Sequence, residues 1–198
     1  MRLREMKNFS LKYIALIFFL SSTLTTNGAE TETPLAPKTS NIEVLLNKLP
    51  KAESSLKATA IRNKIWQELM NGYSSDTVGE KLNKAMHYFY SNQLNDAEKA
   101  FGEIIALEPD FVEAWNKRAT VRYLQGNFLG SMLDINQVLE RQSRHFGALS
   151  GSGLIYLKLE MPKRALESYL SVSEIDPWNE ETKKLILKLK ELVYGIKL

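Results

Sequence analysis

The stretch from residue 112 to residue 145, "VEAWNKRATVRYLQGNFLGSMLDINQVLERQSRH", decides how the rest of the chain is read. It begins as a helical pattern, breaks at Gly126, and resumes from Phe128 as a second helical pattern with Ile135 and Val138. The same layout recurs at a constant offset on either side. Ala85, Ala119 and Gly153 share one column; Ala97, Ser131 and Ala165 share another; Leu94, Phe128 and Pro162 a third; Phe101, Ile135 and Tyr169 a fourth. Pro109 and Pro177 lie two offsets apart, with Ser143 in register between them. Units therefore start at Val78, Val112 and Phe146, and less completely at Glu180.

A 34-residue unit of helix, turn and helix resembles the tetratricopeptide repeat (TPR). In the middle unit Trp115, Ala119, Gly126, Phe128, Ile135 and Val138 follow its pattern. Ala85, Tyr88, Ala97, Phe101 and Pro109 do so in the first unit, and Gly153, Tyr156, Ala165, Tyr169 and Pro177 in the third. The resemblance implies an all-α solenoid with units at 78–111, 112–145 and 146–179, in which the small residues let paired helices approach and stacking buries the apolar face of each unit. Capping-box spacing, Thr77 with Glu80 and Asp110 with Glu113, predicts helix starts, and Asn92 and Gly126 occupy equivalent turn positions suited to a left-handed backbone.

Two further helices are expected before the repeats, within 41–72. One carries Ile42, Leu45, Leu46 and Leu49 on a face and ends at Pro50; the other carries Leu56, Ala60, Ile61, Ile65 and Leu69. After the repeats, 180–198 reads as a capping helix, with Leu185, Leu189 and Leu192 on one side and lysines around the rest.

The N-terminus follows different rules. Arg2, Arg4, Lys7 and Lys12 flank the apolar run "YIALIFFL" (Tyr13 to Leu20), and a polar tail closes it at Ala29, the layout of a secretory signal peptide over 1–29. The run is shorter than the roughly 18 residues a membrane-spanning helix needs. Cleavage after Ala29 is expected, with Gly28 as a competing site; an uncleaved membrane anchor is the alternative. Residues 30–40 read as a Pro/Thr-rich linker. The segment ending at Ala29 carries Arg2, Arg4, Lys7 and Lys12 against the single acid Glu5. Its removal therefore cancels the net charge of +3, and no basic footprint for nucleic acid remains.

The absence of cysteine excludes disulfides, zinc–thiolate sites, thiol nucleophiles and a lipidated N-terminal cysteine. His87 and His145 are the two histidines, and they form no metal-ligand or catalytic spacing; His145 is expected to serve a helix start or the surface. The glycines at 147, 151 and 153 match neither a phosphate loop nor a nucleophile elbow and read as helix contacts. No cofactor, no metal and no enzymatic activity are expected.

What remains is binding. The inner, concave surface of a TPR stack is lined by the first helix of each unit, which here offers Leu82, Met86, Phe89 and Tyr90, then Asn116, Thr120, Tyr123 and Leu124, then Leu154, Leu157 and Lys158. Such a groove suits a peptide or helix of a protein partner; alternatively, the helices within 42–71 fold into it or over the first unit, making several of these residues core. Some family members clamp a C-terminal carboxylate with Lys, Asn and Arg. Leu82 and Met86 stand in the corresponding places, so that clamp is missing. Arg118 is expected to pair with Asp134 across the helix hairpin, because a half-buried arginine needs a carboxylate; ligand binding is its alternative role. Arg122 has no evident partner but Glu113 or a neighbouring carboxylate. The expectation is an exported, periplasmic, bacterial binding scaffold that is free of nucleic acid, meets membrane only through its first segment, and has an open oligomeric state.

Overall fold

The computed structural model describes residues 39–195, so the expected signal segment, and the linker as far as Lys38, lie outside the described residues. The described residues form nine α-helices: α1 Thr39–Lys48, α2 Ser55–Met70, α3 Asp76–Tyr90, α4 Leu94–Leu107, α5 Val112–Leu124, α6 Phe128–Arg141, α7 Phe146–Lys158, α8 Pro162–Ile175 and α9 Glu180–Tyr194, with a short 3₁₀ turn at Leu49–Lys51 after α1. Helix α1 thus already begins inside the expected linker, at Thr39.

The repeat period becomes geometry through the turns. Helices α4, α6 and α8 begin at Leu94, Phe128 and Pro162, and α5, α7 and α9 at Val112, Phe146 and Glu180. Each hairpin closes in a Schellman arrangement. The N–H groups of Gln93, Asn127 and Met161 reach back to the carbonyls of Tyr88, Arg122 and Tyr156 at 2.8–2.9 Å. The residue before each is left-handed: Asn92, Gly126 and, unforeseen by residue type, Glu160, with φ of 57°, 81° and 62°.

Across each hairpin the small columns meet. Ala85, Ala97, Ala119, Ser131, Gly153 and Ala165 are all buried, and Ser131 Oγ donates to the Ala119 carbonyl at 2.7 Å. Phe101, Ile135 and Tyr169 fill the space beside them. A Cβ on Gly153 would lie 2.7 Å from the Tyr169 ring, so glycine is required there by contact rather than by backbone conformation.

Helix starts depart from the expected capping boxes. Ser75, not Thr77, caps α3 by accepting from the Val78 N–H. Phe111 stands at the N-cap of α5 and makes no side-chain cap, while Glu113 turns inward to other partners. In α2 the buried residues are Ala58, Ile65 and Leu69; Ala60 is exposed and Leu56 is 81% exposed, so the apolar face is rotated from the expected one. Helix α9 buries Ile186 and Leu189, with Leu185 and Leu192 at the margins, against Leu157, Leu166 and Tyr169.

Gly153→Ala should destabilise the chain by about 1–2 kcal/mol, because overpacking against Tyr169 outweighs the gain in helix propensity. Gly102→Ala, whose Cβ would meet only Arg118 Nη1 at 3.5 Å, should stabilise by up to about 1 kcal/mol. Urea denaturation of both variants tests the pair; equal shifts would contradict the contact reading.

Candidate functional site

The inner face is built by α3, α5 and α7, but much of it is closed. Leu82 belongs to the core of the first unit with Val78, Ala85 and Phe101. Tyr123 and Leu154 are buried together beside Ala119 and Ile135, and Leu157 packs into the cluster beneath α9. Asn116 is buried as well, donating to Glu113 Oε1 at 3.0 Å. Leu82, Asn116, Tyr123, Leu154 and Leu157 are thus corrected from candidate contacts to core: each inner helix packs against its own second helix and against the helices that flank it in the stack, and those contacts consume these positions. A small cavity of about 30 Å³ persists among Asn116, Thr120, Tyr123, Ser150 and Leu154. Met86, Phe89, Thr120 and Lys158 are half-buried, while Tyr90 and Leu124, one repeat apart, are 59% and 37% exposed.

The N-terminal arm, α1–α2, makes a separate contact. It touches the first unit, its neighbour in sequence, through Met70 at the end of α2, and otherwise docks on units two and three. Leu45, Leu46, Leu49, Ala58, Ile65 and Leu69 share a core with Phe146, Val172 and Ile175. Three polar residues, one at the C-cap of each second helix, hold the N-terminal segment. Glu108 Oε2 accepts from Ser74 N–H and Oγ at 3.0 and 3.1 Å. Gln142 Nε2 donates to Glu43 at 2.8 Å. Asp176 receives both Nε and Nη2 of Arg62 at 2.6 and 3.0 Å. Glu108, Gln142 and Asp176 form one further column of the repeat. Arg144 adds bonds to Asn47 and the Leu46 carbonyl.

Trp66 is the anchor of α2. Its ring stands edge-on to His145 and Phe146, with centroids at 5.7 and 5.0 Å, and the Lys117 ammonium lies 5.8 Å from its centre. A Cβ on Gly147 would come within 2.6 Å of Trp66, so that glycine opens the notch.

Beside this notch lies a buried polar cluster. Glu113 accepts from Asn116 and lies 3.1 Å from Lys117 Nζ through Oε1. His145 Nδ1 accepts the Ala148 N–H at 3.1 Å, capping α7, which leaves Nε2 as the proton-bearing nitrogen that donates to Glu113 Oε2 at 3.1 Å. Burial alone pushes the Glu113 carboxyl up; the Lys117 charge and the hydrogen bonds from His145 and Asn116 outweigh it and hold the group at about 2.

The arginines form a separate network. Arg118 Nε and Nη2 donate to Asp134 Oδ2 and Oδ1 at 2.9 and 2.8 Å, and its guanidinium stacks 5.0 Å from the Trp115 centre. Of its two expected partners, Arg122 meets not Glu113 but a neighbouring carboxylate. Its Nη1 shares Asp134 at 2.9 Å, and its Nε donates at 2.7 Å to Glu98, on the second helix of the preceding unit. That bond holds the Glu98 carboxyl below its ordinary range. The same offset across the hairpin carries a Ser152–Ser168 bond of 3.0 Å in the third unit.

Among the described residues no group of three or more His, Cys, Asp or Glu side chains could hold a metal ion, and no helix is long and apolar enough to cross a membrane. His87 and the glycines at 147, 151 and 153 lie on helices.

No family model matches the chain. It is 31% identical over 154 residues to a TPR repeat-containing protein of Rhizobium etli, covering 78% of this chain and 75% of that protein. Among solved structures it resembles the first TPR of Spaghetti (RPAP3) bound to the HSP90 peptide SRMEEVD, with a TM-score of 0.57, 19% identity, and coverage of 61% of this chain and 95% of that one. It also resembles MamA, with a TM-score of 0.56, 16% identity, and coverage of 81% and 84%, and the TPR2B domain of yeast Sti1 in complex with an Hsp70 peptide, at 0.55, 19%, 60% and 99%. At these identities the structural likeness speaks for the fold.

The two charged networks can be told apart by mutation. Asp134 is 2% exposed while Arg118 and Arg122 are 16% and 21% exposed, so Asp134→Ala should destabilise by roughly 3 kcal/mol, toward the buried end of the range. Arg122→Ala, which leaves the Arg118 pair intact, should cost about 1 kcal/mol; thermal or urea unfolding reads both. The Glu113 carboxyl is depressed from 4.5 to about 2, so its ionisation stabilises the fold fully above about pH 4.5, and this contribution is lost as pH falls toward 2. Between pH 6 and pH 3 the wild type should lose about 2 kcal/mol more than Glu113→Gln. Equal losses would contradict the assignment.

Proposed function

We propose, since the chain belongs to the tetratricopeptide repeat family, that it is a non-enzymatic interaction module that seats a peptide or helix of a protein partner on its inner face, and that it acts as an exported scaffold or adaptor in the bacterial envelope. The observation that carries this reading is the strip of Met86, Phe89, Tyr90, Thr120 and Leu124. It runs along the inner helices of units one and two, and its outermost members, Tyr90 and Leu124, present large apolar side chains to solvent at the same repeat position. Aromatic and aliphatic groups at such a spacing match the anchor positions of a peptide or helix. Two of the structural relatives are themselves peptide complexes. The missing carboxylate clamp at Leu82 and Met86, with Leu82 in the core, argues for a partner other than a C-terminal acidic tail.

Export is supported by the basic, apolar and polar sections of residues 1–29. The same apolar run favours a second reading, a scaffold anchored by an uncleaved N-terminal helix.

A photo-crosslinking amino acid placed at Tyr90 or Leu124 of the full chain, in Gram-negative cells, should yield a discrete protein adduct that Phe89→Ala weakens at least several-fold; the same probe at Leu129, exposed on the second helix of unit two, should yield none. Adducts of equal strength at all three positions would defeat the proposed surface. The intact mass of the recovered chain separates cleavage after Ala29 from a retained anchor.

A further inference from the structure

We propose that units two and three form a helix-accepting groove that the chain's own α2 fills. Its external ligand is then a helix of α2's chemistry: an aromatic residue with a cation four places before it and aliphatic residues one place before and three places after. The proposal rests on reading the chain as a peptide- or helix-binding module, and adds a second seat, separate from the Tyr90 and Leu124 strip, with the class of partner it takes and the internal competitor that partner must displace.

Four observations carry it. The arm passes over its sequence neighbour and docks through contacts separated by 99 and 114 residues, Gln142 to Glu43 and Arg62 to Asp176. Its exit is pinned to the first unit, since Met70 packs against the first-unit core, Ser74 bonds Glu108 and the Tyr73 ring lies edge-on to Phe111, with centroids at 5.9 Å. The surface under the arm is not an ordinary core. Lys117, His145 and Asp176 are buried against α2, and these three regain water when it lifts, so opening restores hydration that a purely apolar floor would lack. Finally, the seat is shaped for one side chain. Gly147 leaves space for Trp66, His145 and Phe146 wall it, Lys117 faces its ring, and Asp176 takes Arg62 one turn earlier. Ile65 and Leu69 supply the aliphatic contacts.

An intramolecular occupant lowers apparent affinity for an external one by the fraction of time the seat is open, so an arm docked for roughly 90–99% of the time weakens an external helix roughly ten- to a hundredfold.

Two measurements on the full chain test this. In native-state hydrogen exchange, amides of residues 55–70 should exchange at least about tenfold faster than the slowest amides of α5 and α7, revealing an opening below global unfolding. Equal protection makes the arm an inseparable part of the core and overturns the proposal. A labelled peptide of residues 39–71 should bind the Trp66→Ala chain at least tenfold more tightly than the wild type, and should lose at least tenfold in affinity when the peptide itself carries Trp66→Ala or Arg62→Ala. Should Trp66→Ala fail to fold, Arg62→Ala, which removes only the bond to Asp176 and its neighbours, serves as the receptor, with a gain of at least threefold expected. Equal binding to wild type and variant, no binding to a folded variant, or indifference to the peptide substitutions each overturns the proposal. Adducts at Tyr90 and Leu124 that persist while the peptide fails would leave the interaction module standing and remove only the displaceable arm.

Discussion

The close approach of paired helices at one point per unit is the constraint on which the rest depends. At Ala85 with Ala97, Ala119 with Ser131, and Gly153 with Ala165, side chains small enough to let the backbones come together set the depth of each hairpin. The aromatic or aliphatic residue beside them, Phe101, Ile135 or Tyr169, is sized to what the approach leaves open. Where the third unit carries the largest filler, Tyr169, it carries the smallest partner, Gly153. Because three hairpins repeat the same depth, they stack, and stacking buries faces that a single hairpin leaves in water.

Legibility in the sequence follows the range of the contacts. The hairpin geometry is local, so the columns predict the helix pairs, and the antiparallel offset that matches Ala119 to Ser131 also matches Arg118 to Asp134. Arg122 defeats the same reasoning because its second partner, Glu98, sits across a unit boundary, on the second helix of the unit before. Register overcounts the inner face for a related reason: Leu154 and Leu157 occupy groove positions, but the preceding unit covers Leu154, and α8 and α9 cover Leu157. The arm is the least legible element. An apolar helix face announces that something will be covered without saying which of several similar units it will cover, and the offset of the α2 face away from Leu56 and Ala60 comes from tertiary docking rather than from periodicity alone. Gly147 is a contact glycine, as the lack of any loop motif around it implies, yet its contact is Trp66 from far along the chain.

The two charged networks have different physical characters. The Asp134 group ties α4, α5 and α6 through planar guanidinium bonds, with Trp115 beneath Arg118; it is a brace across a unit boundary. The Glu113 group is fully enclosed, and its acid is stabilised only because a lysine, a histidine and an asparagine converge on it. His145 links the two roles a residue can take at a helix start, capping α7 through Nδ1 and donating to Glu113 through Nε2. Removal of any one of these groups leaves buried polar atoms without compensation, so the cluster must be kept or replaced as a unit.

A stack of near-identical units presents a folding chain with a problem of translation: a segment that fits one seat fits the next, one repeat further along. The column at the ends of the second helices resolves it. Its middle member, neutral Gln142, donates where the carboxylates Glu108 and Asp176 accept, and each meets a different part of the N-terminal segment, a serine, a glutamate and an arginine. Shifting the arm by one unit would set Glu43 against Asp176 or Arg62 against neutral Gln142. The departures from the repeat at this column therefore act as a key that gives an otherwise periodic surface a single address.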